Sequence, residues 1–134
     1  MTDLFIDTSY LIAALNPLDR NHRTAIELQG VLETTAPVTT NHVLGECWTF
    51  ARRRFGHGAA VKLVDALRRS ERYRIVHVEH ELEEAAYEWL RKHDEREYSF
   101  VDAVSFKVMD EQNILDALAF DEDFHAAGFR TLRP

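Results

Sequence analysis

Four acidic residues stand where a carboxylate is costly to place. Asp7 closes the apolar run Leu4-Phe5-Ile6, and Asp121 closes the run that begins at Ile114. Glu46 lies within Val43-Leu44-Gly45-Glu46-Cys47-Trp48, and Asp102 within Ser99-Phe100-Val101-Asp102-Ala103-Val104. A carboxylate beside apolar neighbours needs a cation or hydrogen bonds to compensate it. No lysine or arginine occurs in either of the last two stretches. Carboxylates drawn together repel one another and hold their protons more tightly, and a divalent cation removes that repulsion. Ligation by oxygen alone suits Mg²⁺ or Mn²⁺. Two such ions about 4 Å apart can clamp the attacking and departing oxygens of a phosphodiester, one activating water and the other stabilising the 3′ oxygen.

For these acids to meet, the chain must supply a scaffold. Leu4 to Ile6 reads as a buried strand, and Thr8-Ser9 opens an apolar segment that Asn16-Pro17 closes. Residues 19–33 carry apolar side chains at 25, 26, 28, 31 and 32, close to a helical stripe. Pro37 to Thr40 is β-like, and Asn41 is placed to cap a helix carrying Val43, Leu44, Cys47, Trp48 and Ala51. Gly56-His57-Gly58 ends it, and Ala60, Leu63, Val64 and Leu67 mark the next helix. Tyr73 to Val78 predicts a strand. Glu81 to Glu97 predicts a helix, and Ser99 starts another through about Gln112. Residues 114–120 predict a fourth strand ending at Asp121, and Phe129 to Leu132 a short last one. The order β-α-α-β-α-α-β-α-α-β-α-β implies an α/β fold with a parallel sheet covered on both faces. Ligands of such sheets sit beyond the carboxyl ends of the strands, where Asp7 and Asp121 fall.

Each acid also has a purely structural reading. Asp7 before Thr8-Ser9 fits a helix cap. Ser99-x-x-Asp102 fits a capping box. Glu46 fits the rim of an amphipathic helix, and Asp121-Glu122-Asp123 fits a solvated turn. These readings explain each acid singly, not why all four fall at strand ends or beside apolar residues.

Composition bounds the function classes. The 134 residues are expected to form one domain, 1–134. The apolar share of 46% argues against disorder, and 5 Gly with 3 Pro exclude collagen-like or low-complexity chains. A single cysteine, Cys47, excludes an internal disulfide and a multi-cysteine zinc site. No apolar run approaches a membrane span, and Met1-Thr2-Asp3-Leu4 lacks the start of a secretory signal, so the expectation is a cytoplasmic protein without a membrane partner. Net charge is −7, but residues 51–74 hold eight Arg and Lys against two acids. A basic segment on an acidic body is a footprint for a polyanion or an acidic partner, or simply a solvated helix face.

The ordered pieces resemble a known family. Phe5-Ile6-Asp7-Thr8-Ser9 is followed by Thr40-x-x-Val43-Leu44-Gly45-Glu46, then by Tyr98 to Phe106, then by Ala119-Phe120-Asp121-Glu122-Asp123-Phe124 and Ala127-Gly128-Phe129. In that order, with spacings of 39, 56 and 19 residues between the acids, the chain is similar to PIN-domain ribonucleases, in particular VapC-type toxins of bacterial toxin–antitoxin pairs. The resemblance implies a PIN-like three-layer α/β/α sandwich and a Mg²⁺- or Mn²⁺-dependent endoribonuclease. It implies a homodimer neutralised by a cognate antitoxin. Carried over by position, Asp7, Glu46, Asp102 and Asp121 are the catalytic and metal-binding acids. Thr8, Ser9, Ser99 and Asp123 are supporting residues.

Helix geometry bears on an RNA substrate. Glu46 and Arg53 are seven apart, so they share a helix face within about 20° and lie roughly 10 Å apart along the axis. Arg53, flanked by Arg52 and Arg54, is placed to hold a phosphate away from the scissile one. Such contacts position RNA without reading sequence, and selectivity falls to RNA shape and unstacked bases. The basic residues at 62–74 extend this track, meet the antitoxin or form the dimer face.

Other residues are read as structural. His77 and His80 flank Val78-Glu79 without a third soft ligand, and His22, His42, His57, His93 and His125 read as surface groups. Cys47 reads as a buried thiol, and Trp48, Phe50, Phe55 and Trp89 as core or dimer contacts. Two competing functions stand beside the nuclease. One is a catalytically inactive PIN-like module that binds RNA or protein. The other is phosphotransfer through Asp7, which wants a nearby lysine; Lys62, Lys92 and Lys107 are the candidates and none follows an evident strand end.

Overall fold

The computed structural model describes residues 1–133; Pro134, the last position of the expected domain, lies outside them. Strands β1 (Asp3–Ile6), β2 (Ala36–Thr40), β3 (Arg74–Val76), β4 (Asp116–Leu118) and β5 (Arg130–Thr131) form one sheet in the order β3-β2-β1-β4-β5. Every pairing is parallel. Successive strand residues point to opposite faces, and Leu4, Phe5 and Ile6 are all buried, so helices cover both sides of the sheet. This is the three-layer α/β/α arrangement expected from the sequence.

The helices are α1 (Thr8–Leu15), α2 (His22–Glu27), α3 (Gln29–Thr34), α4 (Asn41–Phe55), α5 (His57–Arg69), α6 (His80–Arg91), α7 (Phe100–Gln112) and α8 (Asp123–Ala126). That is one more than expected, because residues 19–33 form two short helices that break at Leu28. Ala25 and Leu28 face the core, whereas Ile26 points outward and is 43% exposed.

Other boundaries differ from the sequence reading, among them β3, which spans Arg74–Val76 and not Tyr73 to Val78. Thr40, not Asn41, caps α4: its Oγ1 accepts from the Val43 amide at 3.1 Å. The Asn41 side chain instead accepts from the Val78 amide at 2.9 Å, which ties the exit of β3 to α4. Helix α6 stops at Arg91 rather than Glu97, because no apolar residue follows Leu90 until Tyr98 and the buried stripe runs out. Strand β4 spans three residues, not seven. Ile114 belongs to the end of α7, where Asn113 adopts a left-handed conformation (φ 56°) and the Ile114 amide returns to the Met109 carbonyl. Ala119 and Phe120 lie past the ladder, so Asp121 stands on the loop into α8 and not at a strand end.

One aromatic cluster braces the half of the molecule that carries this loop. The Phe106 ring lies 5.2 Å from Trp89, 5.7 Å from Tyr98, 5.0 Å from Phe124 and 5.5 Å from Phe129, centroid to centroid. It joins α6, α7, α8 and the approach to β5. Trp89 is thus packed on the core as expected. Truncating Phe106 leaves a cavity among rings that cannot collapse onto it. Phe106→Ala is expected to lower unfolding free energy by about 3–5 kcal/mol, read as a lower urea midpoint with an unchanged slope.

Candidate active site

The chain runs from β1 outward to β2 and β3, then returns to place β4 on the other side of β1. The carboxyl ends of β1 and β4 therefore flank the switch point of the sheet, the usual ligand crevice of this architecture. Asp7 follows β1 directly and caps α1. Its amide donates to the Leu118 carbonyl at 3.0 Å. Its Oδ2 accepts from the Ser9 amide at 3.1 Å and from Ser9 Oγ at 2.6 Å. Ser9 Oγ in turn accepts from the Phe120 amide at 3.0 Å. One hydroxyl thus fixes the Asp7 rotamer and clips it to the segment that leads to Asp121.

Asp102 is held by a complete capping box. Its Oδ2 accepts from the Ser99 amide at 3.1 Å, and Ser99 Oγ accepts from the Asp102 amide at 2.9 Å. Asp121 accepts from the Asp123 amide at 3.2 Å through Oδ1, which turns the chain into α8. For Asp7, Asp102 and Asp121, the structural reading is correct but incomplete. The caps and turn exist, and they aim the carboxylates into a common space.

Within that space, one oxygen each of Asp102, Asp121 and Asp123 lies within 4.8 Å of the others. The Asp7 and Asp121 carboxyls are close enough to share a proton, as are those of Asp102 and Asp123, which raises the pKa of Asp121 and Asp102. Burial is the largest cause of raised pKa at Asp7, Asp102 and Asp121. Asp7 is pushed up to about 6, with the Ser9 hydrogen bonds opposing and the Asp102 charge adding to the rise. Asp102 rises to about 7; the bond from Ser99 opposes burial, and the Asp121 and Asp123 charges reinforce it. Asp121 also rises to about 7 through burial and the charges of Asp7 and Asp123. An oxygen-only cluster in mutual repulsion fits a hard divalent cation, which relieves that repulsion.

Glu46 is not part of this cluster. It stands on α4 and is tied to the residue after Asp7, since Thr8 Oγ1 donates to Glu46 Oε1 at 2.6 Å. The two supporting hydroxyls have divided roles: Ser9 orients Asp7 and Thr8 holds Glu46. Asp123, read from the sequence as a supporting residue, lies inside the cluster. The acids also have a cation that the sequence reading missed. Arg96 donates to Asp123 Oδ1 through Nε at 3.1 Å and its NH2 group at 2.9 Å. A helix running to Glu97 gives Arg96 no such partner, whereas residues 92–97 form the loop that leads to the Ser99 cap of α7.

Beside the cluster opens a cavity of about 1000 Å³, lined by Thr8, His42, Glu46, Phe50, Arg53 and Arg54 among others. Arg53 shares the Glu46 face as the helix geometry required, and Arg54 joins it; Arg52 is exposed elsewhere on α4. Phe50 lines this cavity rather than the core. His42 is half-buried rather than on the surface, with Nε2 3.2 Å from Glu83 and its ring 5.6 Å from Phe100. Trp48, His77 and Arg68 line a smaller hollow of about 520 Å³ that shares Asn41 and Gly45 of α4 with the first. Of the basic residues at 62–74, Arg72 bonds the Leu32 and Thr35 carbonyls, and Arg74 bonds Gln112 and Asp3, so these two brace the fold. Cys47 is buried as expected, its thiol pushed up to about 12 by burial and by the Asp7 and Glu46 charges. Among the described residues, no histidine joins a metal-binding group.

A family model described as PIN domain matches residues 4–130, and the chain belongs to the PIN domain family. The resemblance to VapC-type toxins holds at the level of individual relatives. The chain is 52% identical over 131 residues, 98% of either chain, to a Mycobacterium tuberculosis protein described as 23S rRNA-specific endonuclease VapC20. The crystal structure of Mycobacterium tuberculosis VapC20, described as a sarcin-ricin loop cleaving toxin, matches with a TM-score of 0.91 at 51% identity, covering 98% of this chain and 99% of that one. A chain of Rickettsia felis VapBC2, in a complex with a DNA fragment from its promoter, matches with a TM-score of 0.72 at 10% identity over 98% of each chain, a likeness of fold.

The raised carboxyl pKa values fix the sign of a pH effect. The folded protein holds protons on Asp7, Asp102 and Asp121 that the unfolded chain releases near its ordinary value of 3.8. Their contribution to stability is therefore full below about pH 4 and is lost as pH rises through 6 to 7. Thermal unfolding of the metal-free protein is expected to shift to lower temperature across that window. Asp102→Asn, which needs no proton to stay neutral, is expected to flatten the profile.

Proposed function

We propose that this chain is a divalent-metal-dependent endoribonuclease that acts as the toxin of a toxin–antitoxin pair. The observation that carries the reading is the gathering of Asp7, Asp102, Asp121 and Asp123 at the switch point of the sheet, with Glu46 tied to the residue after Asp7. The identity of 52% to a 23S rRNA-specific endonuclease and the likeness to a sarcin-ricin loop cleaving toxin support ribosomal RNA, and that loop in particular, as substrate. Asp7, Asp102 and Asp121, with Asp123 at the edge, would hold Mg²⁺ or Mn²⁺. Bound there, the ion supplies the positive charge that favours attack of water on phosphorus and departure of the 3′ oxygen.

The protein's own groups do the rest. Ser9 and the Ser99 capping box hold Asp7 and Asp102 in fixed rotamers, so little reorganisation is needed when substrate arrives. Thr8 occupies Glu46 Oε1 and leaves Oε2 to take a proton from the attacking water. Arg53 and Arg54 offer charge to RNA phosphates along the cavity, with Arg52 beside them, and Phe50 offers an aromatic face to an unstacked base. The reading extends to one PIN domain over residues 1–134, a cognate antitoxin, a homodimer and action in the cytoplasm. No helix is long and apolar enough to cross a membrane among the described residues. The inactive-module alternative wants a missing acid, and none of the four is missing.

Two experiments test this. Asp102→Asn should fold, as judged by circular dichroism, and cleave a sarcin-ricin loop RNA more than about 100-fold slower with Mn²⁺. Cleavage at the parental rate would remove the metal-assisted mechanism. In that inactive background, Arg53→Ala with Arg54→Ala should weaken RNA binding. It should also flatten the plot of log affinity against log salt, by about 0.7 for each phosphate of a single-stranded RNA that the arginines no longer neutralise.

A further inference from the structure

Arg96 stands on the loop between α6 and α7 and is the one cation paired with the acidic cluster among the described residues. Two of its donors converge on a single oxygen, Asp123 Oδ1. Its side chain is 40% exposed. An isolated ion pair at such a site contributes little to stability. This pair is not isolated, because an Asp123 oxygen lies within 4.8 Å of oxygens of Asp102 and Asp121, so the guanidinium is bound to one member of a carboxylate cluster. A divalent ion entering the cluster would meet the same Asp123 carboxylate already committed to a cation, and would be repelled by that cation.

Building on the metal-dependent reading above, we propose that Arg96 is an internal counter-ion that competes with the divalent cation for Asp123 and thereby sets the protein's affinity for it. In the metal-free protein it balances the Asp123 charge, which adds to the repulsion at Asp102 and Asp121. When the ion binds, that role becomes redundant and the guanidinium opposes the ion. Arg96 is thus a positioning residue for Asp123 and need not touch RNA. Removing its charge has two separable effects. Loss of neutralisation destabilises the metal-free fold, while loss of repulsion strengthens metal binding.

The test is calorimetric titration of Mn²⁺ into the full chain, parent and variants in the same buffer. Arg96→Gln is expected to bind Mn²⁺ on the order of tenfold more tightly than the parent. Its metal-free form should melt at lower temperature, and saturating Mn²⁺ should erase that difference. Arg96→Lys, which keeps the charge, should stay near the parental affinity. In an Asp123→Asn background most of the gain from Arg96→Gln should vanish, since the two groups act through one contact. Unchanged or weaker Mn²⁺ binding by Arg96→Gln overturns the assignment and leaves the metal-dependent reading standing. A parent that takes up no Mn²⁺ overturns both.

Discussion

Asp7, Asp102, Asp121 and Asp123 share a space in which burial and neighbouring carboxylates disfavour the charged forms of the first three. Folding tolerates this because each carboxylate has a compensating contact. Ser9 serves Asp7, the α7 capping box serves Asp102, the turn into α8 serves Asp121, and Arg96 serves Asp123. These bonds are local in sequence for the first three and non-local only for the last. The cluster is therefore assembled from units that each need little chain ordering to form, and the sheet brings them together.

The sheet does so through its strand order. Because β4 lies next to β1, the residue after β1 and the loop after β4 are neighbours, although 114 residues separate Asp7 from Asp121. The Asp7 amide and Ser9 Oγ stitch the two segments directly. The aromatic cluster around Phe106 then holds α7 and α8 at a fixed separation, so that Asp102 faces Asp121 and Asp123. A core contact remote from the chemistry sets distances within the site.

Glu46 belongs to the same design through its bond from Thr8. Its helix also carries Arg53 and Arg54, so one element lines a single cavity with an acid and two cations. An acidic chain with a net charge of −7 thereby keeps a local face suited to a polyanion. The acidic body and the basic helix are not in conflict, since each acts over roughly a Debye length.

Much of this was legible in the residues. Parallel strands followed from apolar runs that alternate with helical stripes, and Asp7, Glu46, Asp102 and Asp121 stood out as carboxylates set among apolar neighbours. The Ser99-x-x-Asp102 box could be read because capping chemistry is local, and Arg53 could be placed with Glu46 because helical geometry is periodic. Periodicity gave out where burial, not pattern, sets the limits. It carried α6 past Arg91 as far as Glu97 and stretched β4 well beyond Asp116–Leu118, since the end of each is decided by which neighbour is there to pack or pair. The overlong α6 concealed Arg96, whose partner Asp123 lies 27 residues on. The sequence alone marked the carboxylates that stand among apolar neighbours and the order of the strands and helices around them. The tertiary structure decided which carboxylates touch, which hydroxyl serves which acid and where the balancing cation sits. Those facts depend on distances between segments far apart along the chain, and only packing sets such distances.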